Sequence, residues 1–159
     1  MIAELGKTLP LPRYVLVGEP TSMTVVDAHK GPIRWRVEVT GKAAHSSMPH
    51  LGVNAITYAG RLLGELARME EELKTLPPNP RFDPPYTSLQ VTEIEGGTAS
   101  NIVPVPCWFG WEIRRLPGFH ATALDQRLRT FAAEHCIPEM QRQAPETGIK
   151  IEIGNEVPA

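Results

Sequence analysis

The sequence contains little of what marks secreted, membrane-spanning or disulfide-stabilised proteins. It has only two cysteines among 159 residues. Cys107 and Cys136 are far apart and form no CxxC or Cys/His spacing, so they predict neither a disulfide framework nor a thiolate metal site. No apolar run approaches the length needed to cross a membrane, and the first residues lack the apolar segment of a secretory signal. We therefore expect reduced, buried thiols, no membrane partner and a cytoplasmic location.

An excess of positive charge is also absent. The 16 lysines and arginines are slightly outnumbered by 18 aspartates and glutamates, which gives a formal net charge of -2. Nucleic-acid binding relies on clustered lysine and arginine, so a nucleic-acid partner is not expected. The sequence does have an ordinary apolar share of 42%, in a chain long enough for one domain with its own core.

Four segments have the alternation of apolar and polar residues that is typical of a strand with one buried face. They are Ile33–Thr40, Ser88–Glu95, Val105–Arg114 and Ile149–Ile153. In the second segment the alternation becomes irregular over the last three residues, before two glycines end the segment. The alternation predicts an antiparallel sheet.

Two amphipathic helices are predicted between these strands. The first is capped by Asn54 and buries the stripe Ile56, Ala59, Leu62, Leu63, Leu66, Met69 and Leu73. Its solvent side carries Arg61, Glu65, Arg68 and Glu72. The second begins with a capping box of Thr122 and Asp125, buries Leu124, Leu128 and Phe131, and is broken or kinked at Pro138.

The order of these elements predicts the fold class. From Gly31 it is strand, helix, strand, strand, helix, strand, as in an α+β two-layer sandwich whose four-stranded antiparallel sheet carries two helices on one face. This is the split β-α-β, ferredoxin-like arrangement. Upstream, the uniformly apolar run Tyr14–Val17 predicts a short strand buried on both faces, as in the parallel sheet of another, larger domain. The five prolines within 76–85 predict an extended connection that could contact a neighbouring subunit.

Four residues are candidates for chemistry, and each has a plain structural alternative. His45, in the loop before the first helix, is followed by two serines and also fits an ordinary surface loop. Glu19, after the first apolar run, is a candidate ligand or a turn residue, and Asn101 could equally be a turn former. Arg114 could simply be a solvated strand residue.

Five motifs in order indicate a family. They are VGEPTS at 17–22, AHKG at 28–31, GKAAHSSMPHLGVNAI at 41–56, EGGTASNIVP at 95–104 and EIRRLPG at 112–118. Together they resemble the acetylornithine deacetylase and succinyl-diaminopimelate desuccinylase family of zinc aminoacylases and peptidases. The combination is most similar to the acetylornithine deacetylase branch, although that family more often has proline at the position of Arg115.

The resemblance implies a domain organisation and a metal. Members of the family have a catalytic zinc domain interrupted by an inserted lid, or dimerisation, domain. Residues 1–22 would then be a remnant of the catalytic domain and residues 23–159 the lid. The intact enzyme would hold two zinc ions, of whose ligands only Glu19 is present here. One ligand does not make a zinc site, so we expect neither bound zinc nor activity from this chain alone.

The resemblance also implies roles for the remaining residues. His45 would reach across a homodimer, formed through the lid, into the partner's active site and stabilise an oxyanion. Asn101 would approach the substrate, and Arg114 would pair with a substrate carboxylate. The implied reaction deacylates a small N-acyl amino acid, N2-acetylornithine to ornithine in arginine biosynthesis, with a related desuccinylase, aminoacylase or peptidase left open. A second hypothesis is a standalone homodimerising structural module without catalysis.

Overall fold

Four antiparallel strands form one sheet in the computed structural model, which describes residues 4–15, 18 and 21–159. The strands are β1 (Gly31–Thr40), β2 (Ser88–Gly96), β3 (Pro106–Arg115) and β4 (Gly148–Glu156), in the spatial order β2-β3-β1-β4. Helices α1 (Ala55–Lys74), α2 (Thr122–Phe131) and α3 (Ile137–Gln143) contribute to a single core with the sheet. The predicted α+β sandwich is therefore confirmed. In the described part of the chain, no helix is long and apolar enough to cross a membrane.

The core lies between the sheet and the helices, and the two central strands, β1 and β3, contribute most of the buried side chains of the sheet. Cross-strand pairs Ile33–Ile113, Trp35–Trp111, Val37–Phe109 and Val39–Cys107 join β1 to β3, and all eight side chains are buried. The rings of Trp35 and Trp111 stack 4.0 Å apart and nearly parallel, at 8°. These residues are the ones that the alternation predicted to face inward. The irregular alternation in β2 corresponds to a register shift in its pairing with β3, between Val91 and Glu93.

Both cysteines are free and buried, as predicted. Burial raises the pKa of the Cys107 and Cys136 thiols. A thiol with a raised pKa is a weak nucleophile, so both cysteines act as small core residues.

Helix α1 begins as predicted but differs in two positions of its surface. The Asn54 side chain accepts a hydrogen bond from the Thr57 backbone N–H at 3.1 Å, which confirms the cap. Ile56, expected in the core, is 41% exposed, because it lies at the edge of the sheet next to Gly96, the last residue of the edge strand β2. Glu65, expected in solvent, is buried, because Arg127 of α2 covers it.

Helix α2 lacks the predicted capping box. Its N-cap is Ala121, without a side-chain hydrogen bond, and Thr122 is already helical. Asp125 instead accepts a hydrogen bond from the buried Trp35 Nε1 at 2.9 Å and pairs with Arg129 at 2.8 Å. A buried indole N–H needs an acceptor, and this need outweighs the cap.

The break predicted at Pro138 is confirmed. The π-helical segment Ala132–Cys136 follows α2, and α3 starts at Ile137 with the proline in its first turn. Proline is tolerated there because the first helical N–H groups have no intrahelical acceptor.

The segments that precede the sheet and follow α1 have little regular structure. Tyr14 and Val15 lie in no strand and are 79% and 71% exposed, so the predicted buried strand is wrong for them, because no described strand pairs with them. Leu16 and Val17 lie outside the described residues. The proline-rich segment 76–85 forms neither helix nor strand, as predicted. Lys30 Nζ donates to the carbonyls of Pro84 and Tyr86, and its burial lowers its pKa.

Candidate functional site

The His45 loop, residues 41–54, connects β1 to α1 and is closed at its base by backbone hydrogen bonds. The Lys42 N–H donates to the Val53 carbonyl at 2.9 Å, and the Val53 N–H donates to the Lys42 carbonyl at 3.0 Å. Gly41 is required beneath this bridge, since a Cβ there would lie 2.1 Å from the Val53 carbonyl oxygen. The two ends of the loop are therefore held together at one end of the sheet.

A second loop, residues 97–105 between β2 and β3, runs antiparallel to the first half of the His45 loop. The Ser46 N–H donates to the Asn101 carbonyl at 2.9 Å, and the Val103 N–H donates to the Ala44 carbonyl at 2.8 Å. This pairing brings His45 and Asn101 to the same end of the sheet, and both residues are exposed. Two of the four predicted site residues are thus neighbours.

The serine two residues after His45 fixes the orientation of the imidazole ring. The Ser47 backbone N–H donates to His45 Nδ1 at 3.2 Å, and the Ser47 hydroxyl oxygen lies 2.7 Å from the same nitrogen. Because Nδ1 accepts a hydrogen bond, the neutral ring carries its proton on Nε2. The ring therefore presents a hydrogen-bond donor on its outer side. The sequence interpretation missed this role of Ser47, and the HSS motif was its only signal.

An open cavity of about 590 Å³ lies between the two loops. Ser46 and Asn54 line it on one side, and Gly96–Ser100 and Ile102–Pro104 line it on the other. His45 and Asn101 are not among its lining residues. The cavity adjoins the edge strand β2, at the end of the sheet where the His45 loop lies.

Arg114 lies at the opposite end of the sheet. It pairs with Pro32 in the β1–β3 register, whereas the end of β1 that leads into the His45 loop pairs with Pro106. Eight residue steps separate Pro106 from Arg114, which corresponds to about 26 Å along the strand. The structure therefore does not bring Arg114 together with His45 and Asn101.

The Arg114 guanidinium is held by a carboxylate on its own strand. Its Nε donates to Glu112 at 2.9 Å, and Arg34 Nε donates to the other Glu112 oxygen at 3.0 Å. Burial raises the pKa of Glu112, but the hydrogen bonds from Arg34 and Arg114 outweigh burial and leave that pKa below its usual value. Arg115 instead pairs with Glu156 at 2.9 Å. Successive strand residues point to opposite faces, so Arg115 does not compete with Arg114.

Glu19, the predicted metal ligand, lies outside the described residues. Within the ranges 4–15, 18 and 21–159, no three histidine, cysteine, aspartate or glutamate side chains lie close enough to hold a metal ion. A closed structural zinc site needs four ligands and a catalytic one three, so the residues that the structure describes do not fit a zinc site by themselves.

Comparisons with known proteins match most of the chain. A family model described as "Peptidase dimerisation domain" matches residues 27–140. The acetylornithine deacetylase of Vibrio vulnificus (strain CMCP6) is 40% identical over 118 residues, which are 74% of this chain and 31% of that protein. The acetylornithine deacetylase of Myxococcus xanthus is 38% identical over 122 residues, 77% of this chain and 32% of that protein. The chain thus spans about a third of the length of these relatives.

The solved structures that match are similar in fold at low identity. A hydantoinase/carbamoylase family amidase from Burkholderia multivorans aligns with a TM-score of 0.58 and 17% identity. The alignment covers 82% of this chain and 28% of that chain. At this identity the likeness shows the shared fold alone.

Proposed function

The chain belongs to the peptidase dimerisation domain family, and on that premise we propose that it is the lid of a dimeric metal-dependent amidohydrolase. The substrate class would be small N-acyl amino acids, with N2-acetylornithine as the first substrate to test because of the acetylornithine deacetylase relatives. The catalytic domain and both zinc ions would belong to residues outside the described segment, with Glu19 as one ligand. Residues 1–22 would belong to that catalytic domain and residues 23–159 to the lid.

The separation of His45 and Arg114 carries this proposal. The first residues of β1 and the backbone after Glu156 lie side by side, because the Val157 N–H donates to the Pro32 carbonyl at 2.9 Å. A catalytic domain joined at these points would connect near Arg114, at the end of β1 and β3 that lies about 26 Å along the strands from the end where the His45 loop begins. His45 and Asn101 would then serve the active site of the partner subunit, while Arg114 would serve its own.

The edge strand β2 is the surface through which we expect two copies to associate. In the described part of the chain no strand pairs with its outer edge, and Ile94 on β2 is 55% exposed. Ile56 of α1, 41% exposed, lies near Gly96 at the end of the same strand. An unpaired edge with exposed apolar side chains is a template for strand addition, so two β2 strands would join two sheets into one.

The proposed chemistry assigns one task to each predicted residue. The His45 Nε2–H would donate to the carbonyl oxygen of the scissile amide as negative charge develops there, and Asn101 would contact the substrate beside it. Glu112 engages Arg114 only through Nε, which leaves the two terminal nitrogens of the guanidinium to grip a substrate carboxylate. Because no group of metal-binding side chains is present among the described residues, we expect the isolated chain to retain no zinc after dialysis and to hydrolyse no acyl amino acid. Stoichiometric zinc in the dialysed protein would contradict this expectation.

The first experiment removes the His45 imidazole, the proposed hydrogen-bond donor, from a longer protein that carries both the catalytic domain and the lid. His45→Ala should lower kcat by about 10²–10³, the usual cost of one oxyanion donor, with zinc content and dimerisation unchanged. His50→Ala is the matched control, since His50 is an exposed histidine of the same loop without a proposed role. Unchanged turnover in His45→Ala would remove the proposed role.

The second experiment tests whether the site is shared. Neither His45→Ala nor Arg114→Ala subunits should be active alone. In a heterodimer of the two, one active site would combine an intact His45 with an intact Arg114. A statistical mixture should therefore regain about a quarter of wild-type activity. No recovery after subunit exchange would indicate that both residues act within one subunit.

The standalone structural module is the second candidate function, and the exposed β2 edge favours it. Its test is the oligomeric state of the isolated chain by sedimentation. Ile94→Lys should abolish the dimer, whereas Ile153→Lys, on the other edge strand β4, should leave it intact. Only monomer at high concentration would argue against dimerisation through this chain.

A further inference from the structure

Helix α3 ends beside the His45 loop because of the irregular segment that precedes it. The π-helical segment Ala132–Cys136 separates α2 from α3, and a π turn advances the chain by one extra residue. One residue corresponds to a rotation of about 100° around a helix axis, so the side chains of α3 are turned by about that angle relative to a regular continuation of α2. The helix ends at Gln143, whose side chain turns toward the loop.

The amide group of Gln143 faces three backbone carbonyls of that loop. Its Nε2 lies 2.6 Å from the Gly52 oxygen, 2.9 Å from the His50 oxygen and 3.4 Å from the Pro49 oxygen. All three neighbours are acceptors, so the nitrogen of the amide must be the atom that faces them. One side chain from 91 to 94 residues away thus joins three parts of one turn.

These carbonyls belong to a short 3-10 turn, Pro49–Leu51, and to the glycine after it. The last carbonyls of any helical turn lack intrahelical partners, and a side-chain donor can satisfy them. Within the turn the Gly52 N–H donates to the Pro49 carbonyl at 3.2 Å. The same turn is linked to the catalytic candidate, since the Met48 N–H donates to the His45 carbonyl at 2.8 Å.

We propose that Gln143 is a positioning residue that caps the Pro49–Gly52 turn and thereby fixes the backbone from which His45 and Ser47 project. The inference deepens the proposed function, because it matters for catalysis only if His45 acts on a substrate. Gln143 itself touches no substrate. Its effect passes through the turn to the Ser47 N–H, which sets the proton of the His45 ring on Nε2.

The experiment uses the isolated chain and three variants. Because Gln143 lies at the surface, Gln143→Ala removes the hydrogen bonds without opening a cavity. Gln141→Ala is the matched control, since Gln141 on the same helix donates at 3.2 Å to the Thr147 carbonyl, away from the loop. Gln143→Lys restores a donor of similar reach.

Amide hydrogen exchange and imidazole ¹⁵N shifts are the two readouts. In Gln143→Ala the amides of Met48, Leu51 and Gly52 should exchange about tenfold faster, as expected for the loss of one to two hydrogen bonds. The His45 ring should shift from the Nε2–H form toward a mixture of tautomers. Gln141→Ala should change neither, and Gln143→Lys should restore both. Unchanged exchange and ring shifts in Gln143→Ala, or equal effects of Gln141→Ala, would overturn the proposal.

Kinetics of the longer enzyme separate this proposal from the proposed function. Gln143→Ala should lower kcat with little change in KM, because the substrate contacts of Arg114 stay intact. If His45→Ala leaves turnover unchanged, the proposed function fails, whereas the exchange and ring measurements on the isolated chain still decide the role of Gln143. If His45→Ala is inactive and Gln143→Ala has wild-type kcat, the positioning role is wrong.

Discussion

Replacement of the buried Glu65 by glutamine should weaken the contact between α1 and α2. The Glu65 carboxylate is 7% exposed and accepts hydrogen bonds from Arg127 Nε at 2.6 Å and from Arg68 Nε at 2.9 Å. A second Arg68 nitrogen donates to the same oxygen. The substituted side chain would keep the shape of the original but lose its charge, and its amide NH₂ would face guanidinium donors.

The expected loss in the free energy of unfolding depends on how far Glu65 and its arginine partners are each buried. Removal of one partner from a fully buried ion pair costs about 3–5 kcal/mol. Arg127 and Arg68 have side-chain exposures of 36% and 59%, so water would solvate them after the change. We therefore expect a loss of about 2 kcal/mol in the free energy of unfolding. For a chain of this length that corresponds to a melting temperature lowered by about 4–8 °C.

Urea unfolding at several pH values is the assay. Burial raises the pKa of Glu65, but hydrogen bonds from Arg68 and Arg127 outweigh burial and hold it below the ordinary value of 4.5. A carboxylate with a lowered folded pKa stabilises the protein above its unfolded pKa, and this contribution is lost as the pH falls through the folded value. The difference between wild type and Glu65→Gln should thus be full at neutral pH and shrink in acid.

Glu72→Gln is the matched control for this prediction. Glu72 binds the same arginine at 2.5 and 3.0 Å, but its side chain is 60% exposed. Exposed ion pairs contribute little, so its replacement should cost clearly less. Equal losses in the two variants, or a Glu65→Gln difference that persists in acid, would refute the reasoning.

Three further predictions concern stability, each measured by urea unfolding. Gly41→Ala places a Cβ 2.1 Å from a backbone oxygen and should cost about 3 kcal/mol, whereas Gly64→Ala, in open space on α1, should stabilise by about 1 kcal/mol. Equal midpoints for these two variants would contradict the steric argument. Asn54→Ala removes the cap of α1 and should cost about 1 kcal/mol, and Asn54→Ser should recover most of it. Asp125→Ala leaves the buried Trp35 N–H without its acceptor and should cost about 2 kcal/mol; an unchanged midpoint would show that the N–H finds another partner.

The sheet could be predicted from sequence because its signal is local. The two central strands β1 and β3 alternate buried with more exposed side chains over 10 residues each, and the pairs Trp35–Trp111 and Val37–Phe109 follow once these two faces meet. The cap at Asn54 is equally local, since donor and acceptor are three residues apart. Patterns of this range are visible in the order of residues alone.

The errors arose where a distant residue supplied the stronger partner. Asp125 fits a capping box with Thr122, but the Trp35 indole 90 residues away takes its oxygen. Glu65 lies on the polar side of α1 by periodicity, but Arg127 from 62 residues away makes its burial favourable. No local pattern contains these partners, because they meet only after α2 packs on α1 and the sheet.

The candidate site was only partly predictable for the same reason. The motif HSS contains both His45 and the Ser47 that orients it. Because a serine two residues after a histidine can hydrogen-bond to the ring, the role of Ser47 was predictable from the sequence. The proximity of His45 to Asn101 depends on the pairing of two loops more than fifty positions apart, and no local pattern in the sequence predicts it. Gln143 had no sequence signal, because its position depends on the π turn before α3.

The stacked tryptophan pair gives this protein an optical signal of its own. Two indoles 4.0 Å apart and nearly parallel are close enough for their electronic transitions to couple, so folding should produce a paired positive and negative band in circular dichroism. Trp108, on the other face of β3, lies outside the pair and stacks against Arg36 at 3.9 Å. Its emission would respond to the solvent side of the sheet, while the coupled band would respond only to the interior. The tryptophans of one chain would thereby report separately on the interior and on the solvent face of the sheet, without an added dye.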